Sequence, residues 1–280
     1  MQEGGSEDKM KKYDNFNFKA GLVITVLIVL IAVTGCFVTP YPSTQMDNAM
    51  RFAPPGAAHI MGCDNYGRDI FSRVMEGIRN TLFIALGTVA IGTVFGVILG
   101  AVCGYFGGTI DLVLMRINDV MFSFPSILLA LVIVSILGTG SFNVVIALGI
   151  AFVPSFARIV RAEYKKNIAL DYVQSAALFG AGHMRIIFVH ILPNILPVLL
   201  SAVMIGFNNA VLAEAGLSYL GIGVQPPEAS LGRMLSEAQS YMFTAPWYAI
   251  FPGLAIALMV LGFALVAEGI SEDTVKGGFR

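Results

Sequence analysis

Long apolar runs separated by short polar islands dominate the chain from residue 20 onward. Five windows contain no Asp, Glu, Lys or Arg: 20–46, 80–110, 120–157, 186–213 and 238–267. A hydrocarbon core about 30 Å thick takes about 20 residues of helix, so four of these windows hold one span each. The third is too long for one. Gly138-Thr139-Gly140-Ser141 interrupts it, and closely spaced glycines mark turns, which predicts a tight hairpin of two helices. The pattern therefore predicts an all-α membrane protein with six transmembrane helices, near 20–38, 81–103, 115–137, 142–161, 193–213 and 247–268. Segment 1–19 precedes the membrane domain 20–270. Loops 39–79 and 214–246 lie on one side, loop 162–192 on the other, and 271–280 forms a tail.

Positive charge orients this arrangement, because Lys and Arg favour the cytoplasmic side. With both termini inside, the inner segments hold Lys9, Lys11, Lys12, Lys19, Arg116, Arg158, Arg161, Lys165, Lys166, Arg185, Lys276 and Arg280. The outer loops hold only Arg51, Arg68, Arg73, Arg79 and Arg233. Both termini and loop 162–192 are thus expected in the cytoplasm, with the chain a multi-pass protein of the cell membrane.

Composition narrows the function classes. The chain is 56% hydrophobic and 12% charged, against about 25% charged in soluble domains, so lipid is its natural solvent. A net charge of −1 supplies no basic field for nucleic acid. Cys36, Cys63 and Cys103 are too scattered for a disulfide framework or a zinc site. Ionisable residues near the midplane mark ion-coupled transporters. Here Asp111, Arg116 and Asp119 fall at the inner end of the third span and Glu214 near the outer end of the fifth, which argues against an autonomous secondary transporter. No nucleophile or paired carboxylate stands in a catalytic pattern. No phosphate-binding G-x-x-x-x-G-K-[ST] motif is present, so any ATP that drives the chain binds elsewhere.

Three segments carry candidate sites. Gly92, Gly96, Gly100, Gly104 and Gly108 recur at a strict period of four, on one helix face, and such a stripe lets a second helix approach closely in lipid. The outer loop His59 to Arg73 holds Asp64, Arg68, Asp69 and Arg73, which predicts a loop pinned by Asp–Arg pairs rather than a metal site. In loop 162–192, Tyr172, Gln174, Ser175, Ala176, Ala177, Gly180 and Ala181 form a small-residue island flanked by Arg185 and His190. Ala176, Ala177 and Gly180 are expected close together on a short helix, a face that a partner's groove or the bilayer surface could meet. His183 and His190 are expected to bond backbone carbonyls at helix ends.

Six blocks, in order, resemble the shorter permease subunit of the peptide/nickel (dipeptide and oligopeptide) family of ABC importers. They are His59 to Arg73; Gly104 to Gly108 with Asp111, Leu114-Met115-Arg116, Asp119 and Pro125; Ala157-Arg158 with Arg161; Gln174-Ser175-Ala176 with Gly180 and His190-Ile191-Leu192-Pro193-Asn194; Glu214 to Pro227; and Pro252-Gly253. The likeness covers about residues 20–270. Gln174 and Ser175 depart from the family's charged-small start of this loop, and Ala264 to Glu272 departs from its usual ending.

The resemblance implies a type I ABC importer permease fold in a prokaryotic membrane. It implies a second homologous permease, two cytoplasmic ATPase subunits and an extracytoplasmic solute-binding protein as partners. It implies no cofactor on this chain, with ATP and Mg on the ATPases, and a coupling role for Tyr172 to Ala181, Arg185 and His190. Short peptides are the expected substrate, and nickel or a metal chelate is the runner-up.

Overall fold

The structure, a computed structural model, describes the backbone of residues 16–277 and the side chains of residues 17–270. Most of the expected segment 1–19 and the last three residues of the expected tail lie outside the described residues. The described chain is helical, with α1 Phe16–Phe37, α2 Ile70–Phe106, α3 Gly108–Phe122, α4 Ser126–Leu137, α5 Ser141–Ile168, α6 Asp171–Leu178, α7 Leu192–Tyr219, α8 Leu231–Ala238 and α9 Trp247–Gly277. Five helical segments are long and apolar enough to cross a membrane: Asn17–Phe37, Ile70–Phe106, Ser141–Ile168, His183–Tyr219 and Trp247–Ile270. The pair α3 and α4 makes a sixth span only if its two bent halves are taken together.

That pair corrects the expected straight span at 115–137. The axis turns by 89° between α3 and α4, at Ser123-Phe124-Pro125. Pro125 has no N–H to continue the ladder, and the residue before a proline avoids the helical region. The helices also run past the charge-free windows. Asp69 caps α2 by accepting from the Ser72 amide at 2.8 Å, so α2 begins at Ile70, well before the expected residue 81. Its 37 residues span about 55 Å at 1.5 Å per residue. That length carries Arg73, Glu76 and Arg79 beyond a hydrocarbon layer of about 30 Å. At the start of α7 a π-helical turn, Ile186–Ile191, precedes Pro193. A regular turn there would drive the proline ring into the carbonyl four residues back.

The core is the parallel pair α2 and α5. A side chain added at Gly92, Gly96, Gly100 or Gly104 would meet Phe152, Phe156, Val160 or Tyr164 respectively. The partner number rises in step with the glycine number, sixty residues apart throughout, so the helices run in the same direction in constant register. Gly108 does not belong to this stripe. α2 stops at Phe106, Gly107 and Gly108 have φ of +64° and +56°, and a side chain added at Gly108 would meet no neighbour within 4 Å. A second small-residue contact joins α1 to α9, where Gly21 lies against Leu265 and Gly262, and Gly269 against Phe18. α1 runs antiparallel to α2, with Gly35 against Met75. The start of α1, the end of α9, the end of α2 and helix α6 consequently share one face of the bundle.

Candidate functional site

On that face α6 packs one side, through the buried Val173, on the bundle and leaves the other side exposed. It ends in a Schellman arrangement, in which Ala181 N donates to Ala176 O and Gly180 N to Ala177 O, both at 3.0 Å. The turn requires a left-handed residue, and Gly180, at φ +81°, supplies it without a Cβ penalty. Gly180 thus lies just beyond the helix, not on a helical face with Ala176 and Ala177 as the spacing predicts. The turn presents Leu178 and Phe179, which are 88% and 92% exposed, with Met184 beside them at 65%. These three apolar side chains are absent from the sequence-based candidates, because their exposure depends on the turn and not on their residue types.

Two tyrosines tie this projection to the core helices. The Tyr105 hydroxyl, at the end of α2, lies 2.8 Å from His183 Nδ1. The buried Tyr164 hydroxyl, near the end of α5, donates to Ile187 O at 3.0 Å. Tyr172 donates to Asn167 Oδ1 at 2.7 Å, and Gln174 reaches Ala169 O at 3.3 Å. His183 therefore pairs with a side chain rather than the expected carbonyl. Ser175 and Arg185 are exposed, and His190 is half-buried. Behind them, Arg161 Nη2 and Lys165 Nζ both donate to Asp111 Oδ2, at 2.7 and 2.6 Å, which clamps α3 to α5.

The opposite face holds a polar cluster. The buried Asp64 accepts from the amides of Tyr66 and Arg68 at 2.8 and 2.9 Å, and from Arg68 Nε at 2.5 Å. Arg68 Nη2 then donates to Glu237 Oε2 at 3.0 Å, joined by Arg73 Nη2 at 3.4 Å and the Tyr248 hydroxyl at 2.8 Å. Arg233 Nε takes the other Glu237 oxygen at 3.2 Å. Burial pushes the Glu237 carboxyl up, but Arg73, Tyr248, Arg68 and Arg233 together outweigh it and hold it below its ordinary value. Glu237 is thus the centre of the cluster, and the loop pairs drawn from residues 59–73 alone omit it. Among the described residues the Asp69 carboxylate pairs with no arginine side chain. Besides capping α2, it lies 2.9 Å from His59 Nδ1. Glu214 belongs to no loop either: it is fully buried inside α7. It accepts from Thr81 at 2.8 Å and Ser218 at 2.7 Å. Burial first, then Asp69, Asp64 and Asp47, push the Cys63 thiol up to about 11. Among the described residues no group of three or more His, Cys, Asp or Glu is arranged to hold a metal.

Between α4, α5 and α7 lies a cleft of about 640 Å³. Its α7 wall runs from Val198 to Ala213, about 22 Å at helical rise, which is most of the thickness of a hydrocarbon core. Phe156 and Gly206 pack together in this wall, so α5 and α7 touch there, while α4 packs on α5 through the buried Ala130 and Val134. Five long apolar helices with an apolar cleft between three of the helices define a polytopic helical membrane protein. The chain belongs to the family of binding-protein-dependent transport system inner membrane components, which it matches over residues 92–272. It is 36% identical over 258 residues to a dipeptide transport system permease protein of Haemophilus influenzae, covering 90% of this chain and 88% of that one. It is 41% identical over 254 residues to a glutathione transport system permease protein of Pectobacterium atrosepticum, covering 90% and 84%. Its fold resembles a methionine ABC transporter solved in inward-facing conformations, with a TM-score of 0.58 at 20% identity over 71% of this chain and 96% of that one. A second structure, an amino acid ABC transporter, gives 0.54 at 22% identity over 70% and 91%.

Proposed function

We propose that this chain is the transmembrane permease subunit of an ATP-driven importer and forms, with a second homologous permease, the pathway for short peptides. The observation that carries this reading is the likeness, along nine-tenths of the chain, to permeases named for dipeptide and glutathione transport. The α6 face is the cytoplasmic one, in keeping with its excess of Lys and Arg, and two ATPase subunits bind there with ATP and Mg. A solute-binding protein docks on the opposite face, whose polar cluster keeps loop 38–69 rigid. Leu178 and Phe179 seat in a groove of the ATPase. Closure of the ATPases moves α6, and the tyrosine contacts pass that motion to α2 and α5. Hydrolysis takes place on the ATPases.

The test is ATP-dependent uptake of a dipeptide by the reconstituted complex, in wild type and Phe179→Asp. Burying a phenylalanine contributes about 1.5–3 kcal/mol, so the variant should lose at least tenfold in uptake and in binding-protein-stimulated hydrolysis. Basal hydrolysis should persist. Full uptake by Phe179→Asp would sink the docking role, and no uptake by wild type would sink the peptide reading.

A further inference from the structure

The cleft between α4, α5 and α7 has a definite chemistry. None of the described residues lining it is ionisable. Its polar groups are Ser126 at the start of α4, Ser155 on α5, and Ser201 and Asn209 on α7. The Ser201 hydroxyl is engaged within its own helix, donating to Pro197 O at 3.2 Å. Asn209 and Ser155 make no side-chain hydrogen bond to any other described residue, and both are exposed. The adjacent Asn208 shows the contrast. With its amide oriented to satisfy both neighbours, it donates to Val260 O at 3.3 Å and accepts from Ala264 N at 3.2 Å on α9. One asparagine of the pair thus fastens α7 to α9, and the other points its amide into the cleft.

A carboxamide offers one acceptor and two donors. That set matches the N–H and C=O of a peptide bond, and it carries no charge that would hold a charged end of the solute. A hydrated cation would gain little here, since it is satisfied by carboxylate and several oxygen ligands. A passage site also needs contacts weak enough to release what they hold. Single neutral hydrogen bonds meet that need, at about 0.5–1.5 kcal/mol net each.

We infer that Asn209 on α7 and Ser155 on α5 form a hydrogen-bonding step for the peptide bond of a solute crossing this cleft. The inference rests on the peptide-importer reading and adds to it the residues that contact the solute within the membrane. Removing such a bond changes a rate by about two- to tenfold.

The experiment measures uptake per ATP hydrolysed by the reconstituted complex, with saturating liganded binding protein. The probes are alanylalanine and its counterpart methylated at the peptide nitrogen, which lacks the N–H donor. Wild type should favour alanylalanine. Asn209→Ala should lower alanylalanine uptake by about two- to tenfold and shrink the preference, while stimulated hydrolysis and assembly stay unchanged. Ser155→Ala should act in the same direction. An unchanged preference in both variants would overturn the inference. So would loss of the second permease from the purified complex in Asn209→Ala, which would assign this side chain to the subunit interface. A wild-type complex that moves neither peptide overturns the peptide reading and the inference with it.

Discussion

Gly100 offers the sharpest test of the packing that holds this bundle together. A Cβ at Gly100 would lie 2.6 Å from Ala157 O, 2.7 Å from Val160 Cβ and 2.9 Å from Arg161 N. Comfortable contact between heavy atoms falls at about 3.5–4.0 Å, so α2 and α5 would have to part by about 1 Å. Two of the three obstacles are backbone atoms, and no rotamer change relieves them. Overpacking of this kind costs about 1–3 kcal/mol, or roughly a five- to 150-fold shift in the folded ratio. At about 2–4 °C per kcal/mol for a chain of this order of size, Gly100→Ala should lower the midpoint of thermal unfolding by several degrees. The separation would also disturb Arg161, which donates to Asp111, and so loosen α3. Gly216→Ala is the control. It lies in α7 with nothing within 4 Å of an added Cβ, so the same substitution should be neutral, or stabilising by up to about 1 kcal/mol through lost backbone freedom in the unfolded chain. The assay is thermal unfolding of the two variants side by side in one detergent. A Gly100→Ala variant as stable as Gly216→Ala would refute the close approach of α2 and α5.

Three further outcomes follow from the two faces. The Glu237 carboxyl is held below its ordinary value near 4.5, so its stabilisation is present above that pH and lost as pH falls through the lowered value; the protection of loop 38–69 amides, relative to the intrinsic exchange rate at each pH, should fall as the pH drops below 4.5, and Glu237→Gln should lower it already at pH 7. The Cys63 thiol, pushed up to about 11 and fully buried, should resist maleimide at pH 7.5 in the native protein and label at once in denaturant, read in a Cys36→Ser, Cys103→Ser background because Cys36 is exposed; rapid native labelling of Cys63 would contradict the packing of loop 38–69. Gly180→Ala places a Cβ in the left-handed region at a cost of about 1–2 kcal/mol, so it should reduce coupled transport partially, while Gly180→Asn, which tolerates that region, should reduce it less; equal activity of wild type and Gly180→Ala would show that the Schellman turn is not needed.

How much of this protein its sequence determines depends on the range of the physics involved. Apolar runs set which segments enter lipid, because transfer cost is a property of each residue and adds along the chain. The four-residue glycine period determined the contact face of α2, because helical geometry converts spacing directly into a stripe. Asp64 and Arg68, four residues apart, lay close enough to be paired by inspection. Tertiary structure decided the rest. The 89° turn at Pro125, the partner of the glycine stripe sixty residues on, and Glu237 at the centre of the polar cluster all depend on contacts between distant segments. Charged side chains at 73, 76 and 79 delayed the start of the apolar window, although pairing of Arg73 with Glu237 and of Arg79 with Glu76, together with the length of α2, let that helix start eleven residues sooner than residue 81. Glu214 entered α7 for a similar reason, since the hydroxyls that satisfy it come partly from Thr81 on another helix. The exposure of Phe179 and the free amide of Asn209 were settled last, because which polar and apolar groups stay unpaired is known only when every neighbour has taken its place.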